Sequence, residues 1–541
     1  MTDERSSAGI GRTSLAASAG TLGSRVLGFG RNLALAAAVG TGLVADAYNI
    51  ANQVPNQVFL LLGGGTIAFI FVPQLMRHSR SPESRADEYG SLLIFAGAAF
   101  GLLVTSLLLV LGPAVIELMG GSSWGDAQLS LSSQLFVWCI PQIFFYTLFG
   151  VTSQIMNARG KFSSAAWAPA INSVVIIIAC IPIVIAGSVQ ANSPGSVSPQ
   201  IVTLLGASTL LGSALQSMLL FILLKRVGFR LRVRFSIRGL GLRTTAVTGF
   251  LTLTTAGVFQ LAVIVTAALS TQAGSSAEAI GYDGRGYTAF FYAQTLLLIT
   301  QGVASAGLAN VLLVRLSSHY ANGNRGEASV ELNEAILAIG ALLIPVMSIF
   351  MCLGPLGTEV LFARGETSQT AAHFIGVVLA VLAAGLVPYA LHDVLIRPFF
   401  AMHEAKIPLR SAVVVGTIWI LGSFAASSWL PKEKVLLGIA AAFSISYLID
   451  LPIKLRSLRT RAGFKVSDVV VRGYLMSLAA GALTATVIGF SVFYLRPLVA
   501  ETSLARALLL FGATASFALL YYALTFRSPA SLGRLFRWFR K

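Results

Sequence analysis

Seven polar or charged side chains stand in stretches apolar enough to face lipid. Arg25 and Arg31 lie in SRVLGFGRNLALAAAVG, and Asp46, Asn52 and Asn56 lie in ADAYNIANQVPNQVFLLLGGG. Asp393 and Arg397 follow His392 in LHDVLIRPFF. An ionised side chain at the centre of a bilayer costs about 3 kcal/mol or more unless it finds a partner or a wet cavity, so each is a candidate functional group. On a helix, six positions of 100° put Arg25 and Arg31 about 240° apart, off one strict stripe. Arginine is long enough for both to reach a wide cavity, and Arg31 also suits a snorkelling position near a helix end. Asp46 suits either a pairing with one of these arginines or a cap on the helix it opens. Asn52, Gln53, Asn56 and Gln57 surround Pro55, and Gly63, Gly64 and Gly65 follow, a composition suited to a span that bends and lines a cavity. His392, Asp393 and Arg397 suit a charge cluster or gate, or an anchor for the loop that follows. Gln260, Gln294, Gln301 and Asn310 suit hydrogen bonds between helices. Asp450 suits a pair with Lys454 at i+4.

No enzymatic constellation accompanies these groups. The sequence holds no P-loop and no His and acid cluster at metal-ligand spacing, so neither a metal nor a cofactor is expected. Cys139, Cys180 and Cys352 are odd in number, form no CxxC and sit in apolar runs, as small buried hydrophobes do.

The elements that must position these residues are transmembrane helices. Of 541 residues, 55% are hydrophobic and 11% charged, less than half the charged share of a soluble domain. Mean hydropathy is +0.79. This excludes a soluble globular enzyme, a disordered chain and a nucleic-acid-binding domain. A span needs about 20 apolar residues. Fourteen segments qualify, near 14–40, 45–75, 90–118, 130–156, 164–187, 201–224, 244–270, 287–314, 329–353, 372–396, 409–430, 435–453, 473–494 and 504–526. The ten-residue alternation of a membrane barrel is absent, so the expected fold class is an all-α polytopic membrane protein.

Loop charge sets the orientation. With the N-terminus in the cytoplasm, 30 of the 38 Lys and Arg fall in cytoplasmic segments and five in outer loops, namely Arg285, Arg364, Lys432, Lys434 and Arg496. The positive-inside rule then places both termini in the cytoplasm. The net charge of +17 is a topology signal, with contact to anionic membrane lipids, rather than a sign of nucleic acid. MTDERSSAGIGRTS lacks a short apolar stretch with a small-residue cleavage site, so no cleaved signal is expected.

The organisation expected is a six-helix bundle at 1–224, a basic cytoplasmic linker at 225–243, a second six-helix bundle at 244–456, two additional spans at 457–526 and a basic tail at 527–541. A short basic turn follows the fourth span of each bundle, in IMNARGKFSSAAWAPAIN and FFAMHEAKIPLRSAVVV, as in transporters built from parallel repeats. The tail, RSPASLGRLFRWFRK, suits a short amphipathic helix on the inner surface or an ordinary interfacial stop.

SRVLGFGRNLALAAAVGTGLVADAYNIANQVPN, with FVP at 71–73, resembles the start of the MurJ (MviN) family, bacterial lipid II flippases of the multidrug/oligosaccharidyl-lipid/polysaccharide exporter superfamily. The family's arginine pair, DA turn and PN pair fall on Arg25, Arg31, Asp46-Ala47 and Pro55-Asn56. NARGKFSSAAWAPAIN, FYAQTLLLITQGVASAGLANVLLVRLS and RPFFAMHEAKIP resemble the family's segments after span 4, in span 8 and after span 10. Fourteen spans is also the family's number.

The resemblance implies a multi-pass protein of the bacterial cytoplasmic membrane whose cargo is an undecaprenyl-pyrophosphate-linked precursor of peptidoglycan. It implies Arg25 and Arg31 for the pyrophosphate, Asn52 and Asn56 for the cavity wall, and Asp46 for gating or arginine pairing. Asp393 and Arg397 are candidates for a second gate. Cell-wall synthesis and division proteins are further candidate partners. The chain departs from the family pattern. Phe59 and Thr295 stand where relatives carry a third and a fourth cavity arginine, Gly64 stands where an acid is common, and spans 7 and 11 hold no acid. Two alternatives follow from these departures: a diverged paralogue exporting another polyprenyl-linked glycan, or a non-transporting scaffold for cell-wall synthesis.

Overall fold

The computed structural model describes residues 2–62, 83–232, 242–402, 404, 406–499, 502–526 and 528. The side chains of 2–18, 83–86, 242–250, 252, 305–311 and 314 lie outside that description. So do several sequence expectations: Gly63, Gly64 and Gly65, the FVP at 71–73, the later part of the basic linker, the side chain of Asn310, and most of the basic tail.

Over its described residues every segment read as a span is helical, and no strand occurs among the described residues. In chain order the helices are α1 (Thr2–Val39), α2 (Leu43–Leu62), α3 (Glu83–Gly120), α4 (Asp126–Cys139), α5 (Gln142–Ala158), α6 (Phe162–Trp167), α7 (Pro169–Ala186), α8 (Pro199–Arg226) and α9 (Leu242–Glu278). They continue as α10 (Tyr287–Ala321), α11 (Arg325–Phe362), α12 (Gln369–Ala383), α13 (Leu386–Leu395), α14 (Arg397–Ala401), α15 (Lys406–Trp429), α16 (Val435–Ala462), α17 (Asp468–Leu495) and α18 (Ser503–Thr525). Among the described residues, ten helices or short-break helix pairs are long and apolar enough to cross a membrane. A bent pair, Gln369–Ala383 with Leu386–Ala401, makes an eleventh. Large apolar side chains also face outward, among them Ile185, Val110 and Phe511. In water such a surface would aggregate, whereas in a bilayer it is the solvated face.

The chain divides into two compact units, Met1–Leu261 and Ala262–Lys541. In the first, α1 runs beside α6 and α7, and α2 packs on α4 and α5. Its buried cluster includes Tyr89, Leu93, Ile155, Leu220 and Phe229. In the second, α11 is the hub, packed on α10, α12, α13, α17 and α18. Leu353 and Leu356 of α11 meet Ile488, Phe517 and Tyr521 in its buried cluster. Small residues let these helices approach: a Cβ on Gly376 would stand 2.3 Å from the Pro355 Cα. Close backbone approach through glycine is how helices associate in lipid, where no hydrophobic force drives them together.

α12 and α13 meet at 47°. The sequence explains the break. Pro388 has no N–H to offer the Ala384 carbonyl, and the Gly385 N–H closes a tight turn onto Leu382 O at 2.9 Å instead of reaching Val381. The Ser444 hydroxyl donates to the Val381 carbonyl at 2.9 Å and lies 3.3 Å from the Leu382 carbonyl. An orphaned carbonyl at membrane depth is thereby satisfied. By contrast, α2 passes through Pro55 as one continuous helix to Leu62.

Candidate functional site

In the first unit, α1 is seated on the α6–α7 corner by small residues. Ser24 donates to Ala166 O at 2.6 Å, and a Cβ at Gly23 would meet the Trp167 ring at 2.6 Å. The SRVLGFGR stretch therefore has little freedom to roll. Arg25 and Arg31 are both half-buried. Of the two, Arg31 has the defined side-chain contact. Its Nη2 lies 3.4 Å from Asn32 Oδ1, and its Nε is buried without a hydrogen-bond partner. A half-buried guanidinium with an unpaired buried N–H has a donor left for an anion.

A polar network runs past these residues. Gln142 Nε2 donates to Asn52 Oδ1 at 3.1 Å, Tyr146 donates to Gln142 Oε1 at 2.9 Å, and Asn172 Nδ2 lies 3.4 Å from the Tyr146 hydroxyl. Asn56 Nδ2 donates back to the Asn52 carbonyl at 2.8 Å, one turn earlier. Tyr48 pairs with Thr209 at 2.8 Å. Asp46 is buried in the first turn of α2, where the helix dipole favours a carboxylate. The network joins α2, α5 and α7, and sequence reading had singled out only its α2 members. The missed signal was Gln142 and Tyr146, polar tips at i and i+4 in an otherwise apolar span.

The two positions that depart from the arginine pattern are filled differently. Phe59 lies against Tyr146 and Phe149, with ring centroids 5.4 and 6.4 Å apart. The Thr295 hydroxyl turns back to the Phe291 carbonyl of its own helix at 2.8 Å.

In the second unit, His392, Asp393 and Arg397 go separate ways. His392 reaches across to Asp450 on α16 at 2.8 Å. Asp393 accepts from Gln301 of α10 at 2.6 Å. Arg397 has a buried Nε without a hydrogen-bond partner. Asp450 does pair with Lys454, at 3.0 Å. A second cluster, which sequence reading missed, centres on Glu359. Its buried carboxylate accepts from Arg496 at 2.8 and 3.0 Å, lies 2.6 Å from His373 Nδ1 and 3.4 Å from Gln369, and so binds α11 to α12 and to the end of α17. Its signal was a lone acid near the end of a long apolar helix. Among the described residues no group of His, Cys, Asp and Glu has a metal-holding arrangement.

The family model described as "Lipid II flippase MurJ" matches residues 35–514. The chain belongs to the MurJ family. The probable lipid II flippase MurJ of Vibrio cholerae is 25% identical over 485 residues, 87% of each chain. That of Rhizobium meliloti is 24% identical over 516 residues, 94% of this chain and 91% of the relative. The fold agrees with a solved lipid II flippase MurJ in an inward closed conformation, at TM-score 0.71 and 21% identity over 94% of this chain and 99% of that one. It also agrees with an inward-facing MATE multidrug resistance transporter of the MOP superfamily, at TM-score 0.66 and 14% identity over 81% and 94% of the two chains. The MurJ match begins four residues after Arg31, so the arginine pair precedes it, whereas Asp46, Asn52, Asn56, Phe59, Thr295, Asp393 and Arg397 lie inside it. The protein is accordingly a multi-pass membrane protein of that family.

Proposed function

We propose that this chain carries lipid II, the undecaprenyl-pyrophosphate-linked disaccharide-pentapeptide, from the inner to the outer leaflet of the bacterial cytoplasmic membrane by alternating access of its two units. The observation that carries this reading is the match to the lipid II flippase family along 35–514. The cargo's pyrophosphate needs cationic forks, and the guanidinium fits it in a bidentate way that an ammonium does not. Arg25 and Arg31 supply the two forks, and Asn52 and Asn56 line the path. Asp46 pairs with or gates the arginines in one unit, and Asp393 and Arg397 act at a gate in the other. Fourteen spans follow from the apolar segments, and both termini in the cytoplasm from the basic residues of the loops. Moving about two negative charges outward across 100 mV, inside negative, releases roughly 4–5 kcal/mol, which helps drive the step. The protein is a transporter and not a catalyst. Its partners are the lipid-linked precursor and the surrounding lipids, with cell-wall synthesis and division proteins as further candidates.

The test is replacement of the native flippase in a depleted host, scored by growth and by lipid II exposed on the outer leaflet. Wild type should rescue. Arg25→Ala and Arg31→Ala should insert normally and fail. A well-inserted wild type that exposes no lipid II overturns the reading. One observation favours a second cargo: aromatic packing at Phe59 and a self-satisfied hydroxyl at Thr295 leave the site two arginines short of its relatives. Export of a different polyprenyl-linked glycan is the reading that this difference supports.

A further inference from the structure

The second unit holds a buried polar cluster that no step of lipid transfer uses. His392 on α13 meets Asp450 and Lys454 on α16, with side chains 7%, 1% and 1% exposed. Three atoms form a nearly equilateral triangle. His392 Nδ1 is 2.8 Å from Asp450 Oδ2 and 2.7 Å from Lys454 Nζ, and Nζ is 3.0 Å from the same Oδ2. Ser411 on α15 donates to the other carboxylate oxygen at 2.6 Å.

A ring nitrogen carries either one hydrogen or one lone pair in the ring plane. Nδ1 therefore donates to Asp450 or accepts from Lys454, and cannot do both. In the first arrangement an ammonium stands 2.7 Å from an N–H. In the second a lone pair stands 2.8 Å from a carboxylate oxygen. One edge of the triangle is repulsive either way, and the two arrangements differ in which ring nitrogen holds the proton. Such a ring takes a proton on one nitrogen and releases one from the other. A cavity of about 280 Å³ reaches the cluster. Asp450, Lys454 and Ser411 line it together with Arg410 and Thr460, which are exposed at its rim. Its lining also includes Ile407, Val414 and Ile453, but it is large enough for several waters and the polar side chains of the triad side give them partners to bond.

We propose that His392, Asp450 and Lys454 form a proton-binding and proton-relay site, reached through this cavity. The ligand is the proton itself, and the atoms balance simply: a proton from cavity water is held at the triad and returned to water. Other charged or titratable groups face it from the neighbouring elements. Asp393 and Tyr389 lie on α13, with Asp393 held by Gln301 of α10. Tyr447 on α16 meets the imidazole edge-on at 5.2 Å. Arg410 on α15 and Arg461 on α16 line the cavity, the latter paired with Glu404 at 2.8 Å. Because α13 is the far half of the span bent by 47°, a proton gained or lost at His392 alters what ties that half to α16. Proton binding at the triad does not depend on the cargo, whereas its coupling to transport rests on the flippase reading.

Two measurements test this. The first is ¹⁵N-histidine NMR of the full chain in lipid nanodiscs, with the His392 signals identified by their loss in His392→Gln. Between about pH 5 and 8, the range a histidine samples, the His392 signals should shift as tautomer and protonation state change. Asp450→Asn should displace that transition by about one pH unit or more. Where Asp450→Asn does not fold, Ser411→Ala, which removes one donor to the same carboxylate, should displace it in part. A single unchanging tautomer in wild type, or the same transition in every variant that folds, overturns the site. The second is lipid II flipping in proteoliposomes under an imposed pH gradient. The wild-type rate should change severalfold and the His392→Gln rate should not. A wild-type rate indifferent to the gradient overturns the coupling. A wild type that flips no lipid II at any pH overturns the flippase reading instead and leaves the proton site to the NMR result.

Discussion

Phe59 rests against Tyr146, ring centroids 5.4 Å apart and planes tilted by 41°, at the place where the family pattern leads one to expect a third arginine. The ring lies beside a phenol already hydrogen-bonded to Gln142. Restoring the charge should remove this packing, worth about 0.5–1.5 kcal/mol per aromatic pair beyond area burial. Phe59→Arg should therefore lower the melting temperature of the purified protein and leave lipid II exposure in the depleted host no higher than wild type. A severalfold gain in exposure would mean that two arginines are too few.

Gly376 crosses α11 at a distance that admits no side chain. A Cβ there would lie 2.3 Å from the Pro355 Cα and 2.4 Å from the Thr358 hydroxyl, and the first of these is backbone that cannot swing aside. Gly376→Ala should destabilise by about 1–3 kcal/mol, the usual result of overpacking. Gly357→Ala, on α11 beside the crossing but with open space around its Cβ, is the control and should be neutral or slightly stabilising through helix propensity. Equal melting temperatures for the two variants would contradict this picture of the crossing.

Local periodicity and charge made the helices legible, because each span must satisfy its own backbone and so declares itself within about 20 residues. The Asp450–Lys454 pair was legible for the same reason, one turn apart on one helix. What joins Asp450 to His392 and Ser411 was not, since those residues lie 58 and 39 positions away and meet only after α13, α15 and α16 pack. The break in span 10 could have been read from Gly385 and Pro388, yet the serine that caps it comes from another helix. Asn52 was legible as a polar residue out of place, but its partner Gln142 was not, because a side-chain amide in a span gives no hint of which helix it faces.

Glu359 is the residue whose loss of partners should be felt most in the second unit. Its side chain is fully buried, and Arg496 reaches it from the far end of α17 with a side chain that is still 42% exposed. Removing one partner of a buried pair leaves an uncompensated charge, but solvent at Arg496 reduces the penalty. Arg496→Ala should cost about 1–2 kcal/mol, seen as a lower melting temperature in detergent. Combining it with Glu359→Gln should recover part of that loss, since the orphaned charge is gone. A double variant less stable than the two single losses summed would show that the cluster does more than neutralise Glu359.

Tyr146 links the amide of Gln142 to that of Asn172, and through Gln142 it reaches Asn52 on the arginine side of the unit. Its hydroxyl donates to the side-chain oxygen of the fully buried Gln142. Tyr146→Phe keeps the ring against Phe59 and deletes that one donor, leaving Gln142 Oε1 without it. An unsatisfied buried acceptor costs about 1–3 kcal/mol. The variant should therefore lose stability by that amount while its aromatic packing is unchanged. It should also free the Gln142 side chain to release Asn52, so that rescue of the depleted host falls although Arg25 and Arg31 are intact. The paired variant Tyr146→Phe with Gln142→Leu removes both halves of the bond, and should regain stability without regaining rescue. Recovery of rescue along with stability would place Asn52 outside the transport path.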